Sequence, residues 1–390
     1  SGLSIQSGMP LGGLFSSISN FDPFNKMGYI KPSFSPVQID GTTITTEVKS
    51  LTSMGTGSSG YTYALGDRSG TGTKCLYRIK LDDQTVIDYS SVIDQNATTG
   101  SITHNGCTYF KGRFIYEQAG SIRSNTFTPT AVNDTNLLTS SLTGSSIYPT
   151  IFGVGHDGQL YFTAEQAASI GKIVTVNGTT SNVSNAFSFT DTSLIPKDIT
   201  NDGIYTIFIA DNNTNKITTA NATCRIFFWD AIKTKADIIY DIQDTYLISA
   251  KYVNGRVLIL GASGIWVCNS ATPPKLIFPL TSTILPKNAQ GVRVKDNTLY
   301  WASGGTQRKI YAYGSKIGQS ILYSPFNTTR SDNLANALDI SGSYLINSLD
   351  AGTNTPKVYL HNSGSTVSTA SVQTVSNPLM QPYKFAFAKV

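Results

Sequence analysis

Gly255-Arg256-Val257-Leu258-Ile259 sets a turn residue directly against a hydrophobic strand, and the same phrase returns along the whole chain. It recurs at Gly60-Tyr61-Thr62-Tyr63, Gly112-Arg113-Phe114-Ile115, Gly158-Gln159-Leu160-Tyr161, Gly203-Ile204-Tyr205-Thr206, Asn297-Thr298-Leu299-Tyr300 and Gly342-Ser343-Tyr344-Leu345. The seven copies are spaced 42 to 52 residues apart. A period of that length carried by strands, not helices, is the signature of propeller blades. The expected fold is therefore an all-β, seven-bladed β-propeller.

Each repeat supports this reading internally. A second β-rich run follows every anchor, at 76–79, 121–123, 172–174, 225–228, 264–267, 309–312 and 357–360. A third follows in several repeats, at 85–87, 237–240, 275–278 and 320–323, and a strand such as 291–294 leads into the anchor. Four strands per repeat is the content of one blade. Val, Ile, Tyr, Phe and Thr fill the runs because branched and aromatic side chains suit a pleated, packed surface. Gly, Asn, Asp, Ser and Pro fill the gaps, as turns require.

The repeats run to the C-terminus without a linker, so residues 36–390 are expected to form the propeller and residues 1–35 an extended N-terminal arm. The arm is Gly- and Ser-rich at first. It then carries Phe21, Phe24, Met27, Tyr29 and Phe34 with little alternation. Those five residues are the candidate assembly interface, since extended arms dock through aromatic anchors. The alternative is that the arm covers a blade edge of its own ring. A ring must also be closed. The candidate closing strands are 37–39 or 44–51 near the start and 383–390 at the end, the last expected to pair with the first blade.

Composition narrows the function classes. Hydrophobic residues are 40% of the chain, enough for an extended core, while charged residues are 14% against roughly 25% in an ordinary soluble protein. A neutral surface rich in Ser, Thr, Asn and Gly suits virus particles and extracellular proteins. The net charge of +5 is spread without a basic block, which speaks against nucleic-acid binding. No apolar run reaches the length of a membrane span. Cys75, Cys107, Cys224 and Cys268 are far apart and form no CxxC pair, and they read as buried free thiols.

The motifs that could carry chemistry are weak. Gly55-Thr56-Gly57-Ser58-Ser59-Gly60 matches a dinucleotide pattern, but Tyr61-Thr62-Tyr63 follows where a helix is required. Asp211, Asn213 and Asn215 begin like a calcium loop, yet Lys216 and Ala222 stand where Gly and Glu belong. His104, His156 and His361 fall in different repeats, and His104 with Cys107 has no second pair to complete a zinc site. Asp82, Asp83, Asp157, Asp202, Asp241, Asp244 and Asp296 show no spacing that singles out a catalytic pair. Trp229, Trp266 and Trp301 lie on repeat strands. Packing between blades is the default for them, and a sugar-stacking platform is the functional alternative.

The stretch Val294-Lys295-Asp296-Asn297-Thr298-Leu299-Tyr300-Trp301 with Arg308-Lys309-Ile310-Tyr311 resembles the NHL and YWTD classes of propeller. His156-Asp157-Gly158-Gln159-Leu160-Tyr161 has the same character. That resemblance implies fold, not activity. The arm and the charge-poor, irregular ring are similar in style to structural proteins of tailed bacteriophages. The expectation is a non-enzymatic structural or interaction protein without a cofactor or metal, located in a virion or outside the cell. Its partners would be other protein subunits. The alternatives are a secreted glycan-binding propeller, or a polysaccharide hydrolase or lyase acting at the channel.

Overall fold

At the anchors of the repeats, consecutive residues adopt left-handed backbone conformations: Lys111 and Gly112 at φ 47° and 81°, Asn254 and Gly255 at 48° and 80°, Asp296 and Asn297 at 48° and 59°. Two such residues in succession make the hairpin turn whose twist matches that of its flanking strands, and Gly or Asn adopts the conformation at least cost. Each of these anchors therefore joins the first strand of its blade to the second. In the computed structural model Val253 pairs with Arg256 directly across the Asn254-Gly255 turn. The structure describes residues 15–19, 21–26, 29–32, 36–39, 43–44, 47–54, 61–68, 73–90, 106–118, 121–125, 135–138, 149–164, 168–176, 179–213, 222–304, 309–314, 321–327, 335–341, 344–349, 357–361 and 371–374.

Seven antiparallel sheets follow in chain order. Blade 1 comprises Glu47–Met54, Tyr61–Arg68, Thr73–Lys80 and Val86–Asp88, and blade 2 Cys107–Phe110, Arg113–Gln118, Ser121–Asn125 and Thr135–Leu138. Blade 3 comprises Pro149–Val154, Leu160–Ala164, Ser169–Val176 and Thr179–Ser188, and blade 4 Ile195–Asn201, Thr206–Asp211, Cys224–Trp229 and Ile238–Ile242. Blade 5 comprises Leu247–Val253, Arg256–Gly261, Gly264–Asn269 and Thr272–Pro279, and blade 6 Val292–Lys295, Thr298–Ala302, Lys309–Gly314 and Ile321–Asn327. Blade 7 takes Ala335–Ser341, Tyr344–Leu349 and Lys357–His361. The first strand of every blade lies beside the first strand of the next, and blade 7 meets blade 1. This is a closed seven-bladed propeller.

Both faces of a blade are covered by its neighbours, so the second strands bury residues on both faces and do not alternate between apolar buried and polar exposed positions. Every residue of Thr206–Asp211 is buried. Phe208 and Ala210 join Tyr161, Phe187, Phe227 and Trp229 in the layer between blades 3 and 4. Ile207 and Ile209 face the other way, into the layer with Ala250, Val257, Ile259 and Trp266 of blade 5.

The ring is closed by Val37–Ile39, which pairs antiparallel with Lys357–His361 and supplies the fourth strand of blade 7. Of the two N-terminal candidates this is the one used, because Glu47–Met54 is already the first strand of blade 1. Residues 383–390, expected to pair with the first blade, lie outside the described residues. Ile39 is 1% exposed and packs with Val48, Ile346, Val358 and Leu360, so both chain ends contribute to one core layer.

Further toward the N-terminus, Phe15–Ser19 adds to the outer edge of blade 6. Ser19 pairs in parallel with Ser324, and the strand pairs antiparallel with Ser371–Thr374, giving a six-stranded sheet. An otherwise open strand edge is covered in this way. Phe21–Lys26 and Tyr29–Pro32 form a separate two-stranded hairpin, which places Phe21, Phe24 and Tyr29 on its strands. Met27 and Phe34 lie outside the described residues.

Closure by Val37–Ile39 predicts a sharp contrast between neighbouring positions. Ile39→Ala should lower unfolding free energy by about 2–4 kcal/mol, whereas exposed Gln38→Ala should change it by less than about 0.5 kcal/mol. Urea unfolding of the two variants checks this, and equal effects would mean that the strand does not close the ring.

Candidate functional site

The first strand of each blade is hydrogen-bonded on one side only, and its other edge faces the axis. Backbone groups on that edge need partners. The preceding blade supplies several of them. The Tyr109 N–H donates to Thr52 Oγ1 at 3.2 Å, and the Tyr252 N–H donates to Thr200 Oγ1 at 3.3 Å. Between blades 4 and 5 carboxylates take this part. Asp198 accepts the Ala250 N–H at 3.0 Å, and Asp211 accepts the Leu247 N–H at 2.7 Å.

These two aspartates are fully buried, and each has a cation. Lys251 Nζ lies 2.7 Å from Asp198, which also accepts the Ser249 hydroxyl. Lys197 Nζ lies 3.2 Å from Asp211. Burial pushes the Asp211 carboxyl above its ordinary range, against the opposing pull of Lys197 and the Leu247 and Asn213 N–H groups. Paired and hydrogen-bonded, each carboxylate ties one blade to the next.

On the other side of the ring, blade 6 reaches across blade 7 to blade 1. A short 3-10 turn, Ala289–Gly291, is buried and lies against the first strands of blades 5, 7 and 1. The Asn288 side chain caps it by accepting the Gln290 N–H at 3.0 Å. Gln290 Oε1 accepts the Ser50 hydroxyl at 3.2 Å, and the Cys107 thiol donates to Ser50 at 3.1 Å. Two residues beyond the turn, Arg293 Nη2 donates to the Leu51 carbonyl of blade 1 at 3.0 Å, and its Nε lies 3.2 Å from Asp339 of blade 7. Asp339 also accepts the Ser53 hydroxyl. Burial pushes the Asp339 carboxyl up, while Arg293 and Ser53 oppose the shift. Chain from blade 6 thus occupies the ring interior here.

The sequence candidates are scattered by the fold. His361 is buried, with Nε2 2.7 Å from Asn347 Oδ1, and burial holds its pKa down to about 3, so it is neutral at pH 7. His156 sits at a turn of blade 3 with Nδ1 3.0 Å from Thr206 Oγ1, and His104 lies outside the described residues. Among the described residues no cluster of His, Cys, Asp and Glu could hold a metal ion. None of the four cysteines is in a disulfide and all are buried, and desolvation pushes the Cys224 and Cys268 thiols up to about 12.

Trp229, Trp266 and Trp301 are all buried, so they do not form a sugar-stacking platform. Each indole N–H is satisfied internally, by the Lys233 carbonyl at 2.6 Å, Asp244 Oδ2 at 2.9 Å and the Ile284 carbonyl at 2.7 Å. The Asp211–Asn213 segment is a turn, with the Asn213 N–H donating to Asp211 Oδ1 at 2.9 Å. After the glycine-rich 55–60 stretch comes strand Tyr61–Arg68, not the helix a dinucleotide site needs.

The remaining carboxylates hold local structure. Asp82 and Asp83 bind Lys80, Asp157 binds Lys172 and the Tyr161 hydroxyl, and Asp241 binds Arg225. Asp244 accepts from Thr245, Ser263 and Trp266. Sequence reasoning missed Asp198, Lys251, Gln290, Arg293 and Asp339. The one available signal was that Asp198 and Lys251 lie 53 residues apart, about one repeat length.

No protein-family model and no curated protein matches the sequence. By structure the chain is similar to a catalytically inactive virginiamycin B lyase from Staphylococcus aureus with quinupristin. The TM-score is 0.56 at 12% identity, over 84% of this chain and 99% of that one. It is also similar to the Dos1 propeller, with a TM-score of 0.52 at 11% identity over 90% of this chain and 83% of that one. At such identities the likeness establishes the shared propeller fold.

Two outcomes follow from this geometry. Asp198→Ala strands the Lys251 ammonium between blades and should cost about 3 kcal/mol, of which adding Lys251→Met should recover only the part due to the unpaired charge, since the Ala250 N–H and Ser249 hydroxyl stay without their acceptor. Urea unfolding of the double-mutant cycle measures this. His361, depressed from the ordinary 6.5, contributes stability that is fully present above about pH 6.5 and lost as pH falls toward 3. His361→Gln should therefore flatten the fall in unfolding free energy between pH 7 and pH 4, and an unchanged slope would refute it.

Proposed function

We propose that this protein is a non-enzymatic structural or interaction subunit of a larger assembly, of the kind found in virus particles, docking through residues 1–35. The supporting observation is the use made of its buried polar groups. Asp198, Asp211 and Asp339 are each committed to a cation and a neighbouring blade, and Gln290 and Arg293 occupy the ring interior. A ring built this way offers rigid outer surfaces, which suits a scaffold.

The low charge content, 14% of residues, is consistent with a virion or extracellular setting. The N-terminal segment supplies a second element outside the blades. Its Phe21–Lys26 and Tyr29–Pro32 hairpin stands as a sheet of its own, beyond the complete four-stranded core of blade 6. Phe21, Phe24, Met27, Tyr29 and Phe34 are the proposed contacts.

Deleting residues 1–35 should leave a cooperatively folded ring by circular dichroism while abolishing co-sedimentation of the tagged chain with its native assembly. Persistence of co-sedimentation, or an unfolded truncated chain, would overturn the docking role.

A further inference from the structure

Between blades 1 and 2 a cluster of tyrosines surrounds one arginine. Arg78 lies on the third strand of blade 1, directly opposite Tyr63 and two residues from the strand's end at Lys80. Its guanidinium carbon is 4.5 Å from the centre of the Tyr61 ring and 4.7 Å from that of Tyr89. Burial pushes the Tyr63 phenol up, the Arg78 charge opposes that shift, and Tyr89 and Tyr109 stand close enough to add to it. Deeper in the same layer Leu65, Leu76, Phe114 and Tyr116 are buried against one another. Arg78 and Tyr61 are only half-buried, which leaves the cluster open toward solvent at the end of the strand.

What sets Arg78 apart is the partner it lacks. Arg225 and Arg293 pair with Asp241 and Asp339, and Arg113 donates twice to the Ser124 hydroxyl. Among the described residues no carboxylate pairs with Arg78, and its Nε–H is buried without an acceptor. Ring faces offset part of the cost of desolvating a cation, but they give the guanidinium edge no lone pair to bond. A buried donor on a charged group that no protein atom satisfies is a place where a bound ion or water belongs.

The surroundings select the ion. Tyr61, Tyr63, Tyr89 and Tyr109 are neutral phenols, so the cluster holds a single positive charge. Lys80, the next cation on the strand, is held by Asp82 and Asp83. A phosphate dianion would therefore stay half neutralised. A carboxylate carries one charge, is planar like the guanidinium, and can accept two parallel hydrogen bonds along its edge. We infer that Arg78, walled by Tyr61 and Tyr89, is the anion-binding group of a carboxylate site between blades 1 and 2. The inference is independent of the docking arm and of the assembly reading.

Nuclear magnetic resonance of the full chain labelled with 15N-arginine tests it. The Arg78 Nε–H signal is identified by its loss in Arg78→Lys. Acetate should shift that signal saturably, whereas chloride at equal ionic strength and neutral glucose should leave it in place. Phosphate should act at least about ten-fold more weakly than acetate, lacking the matching geometry and charge. Glucuronate and N-acetylaspartate α-amide then separate an acidic sugar from an acidic protein side chain as the source, the tighter of the two naming it. An Nε–H signal unmoved by every carboxylate, or moved equally by chloride, overturns the inference. So does binding of acetate that persists undiminished in Arg78→Gln, with the melting temperature of that variant showing that the ring is folded.

Discussion

The unpaired inner edge of the first strands is the constraint on which this ring depends. A sheet arranged radially has one strand with no partner toward the axis, and burying its N–H groups unmet would cost free energy at every blade. The chain meets the need with side-chain oxygens from the neighbouring blade. Thr52 serves Tyr109, Thr200 serves Tyr252, and Asp198 and Asp211 serve Ala250 and Leu247. Satisfying one blade's backbone therefore joins it to the next. Where carboxylates do this work, Lys251 and Lys197 must follow, because an unpaired buried charge is far more costly than an unpaired hydroxyl.

Around the seam a different solution appears. Blade 7 takes its fourth strand from the opposite end of the chain, so its own residues 335–361 cannot complete it. Arg293 spans this blade at the axis, joining blade 6 to Asp339 and to the Leu51 carbonyl beyond it. The Ser348 hydroxyl adds a bond from blade 7 to the Val48 carbonyl of blade 1 at 2.9 Å. Closure therefore has an apolar part at Ile39 and a polar part near the axis. Among the described residues, the polar groups near the axis, Gln290, Arg293, Asp339 and Asp198, are spent on holding blades to one another.

Much of the architecture was legible in the chain before any coordinates. The anchors at Gly112, Gly158, Gly203 and Gly255 do take positive φ, and every anchor leads into the second strand of a blade. The later runs became third and fourth strands, as at Cys224–Trp229 and Ile238–Ile242. These features could be read because turn chemistry and strand composition act over a few residues. Which segment closes the ring could not be read, since 37–39, 44–51 and 383–390 all have strand character. The tryptophans went where the default reading put them, into the packing between blades, and their burial removes the sugar-stacking alternative.

The local pattern by itself determined the number of blades, most of the strands in them and the turns between first and second strands, because backbone conformation and side-chain shape are properties of neighbouring residues. Only the tertiary structure decided that Asp198 meets Lys251 and that Arg293 crosses to Leu51. Those partners lie a repeat or more apart in the chain. Electrostatic and apolar contacts of that range depend on how sheets stack around an axis, and no short stretch of residues carries that information.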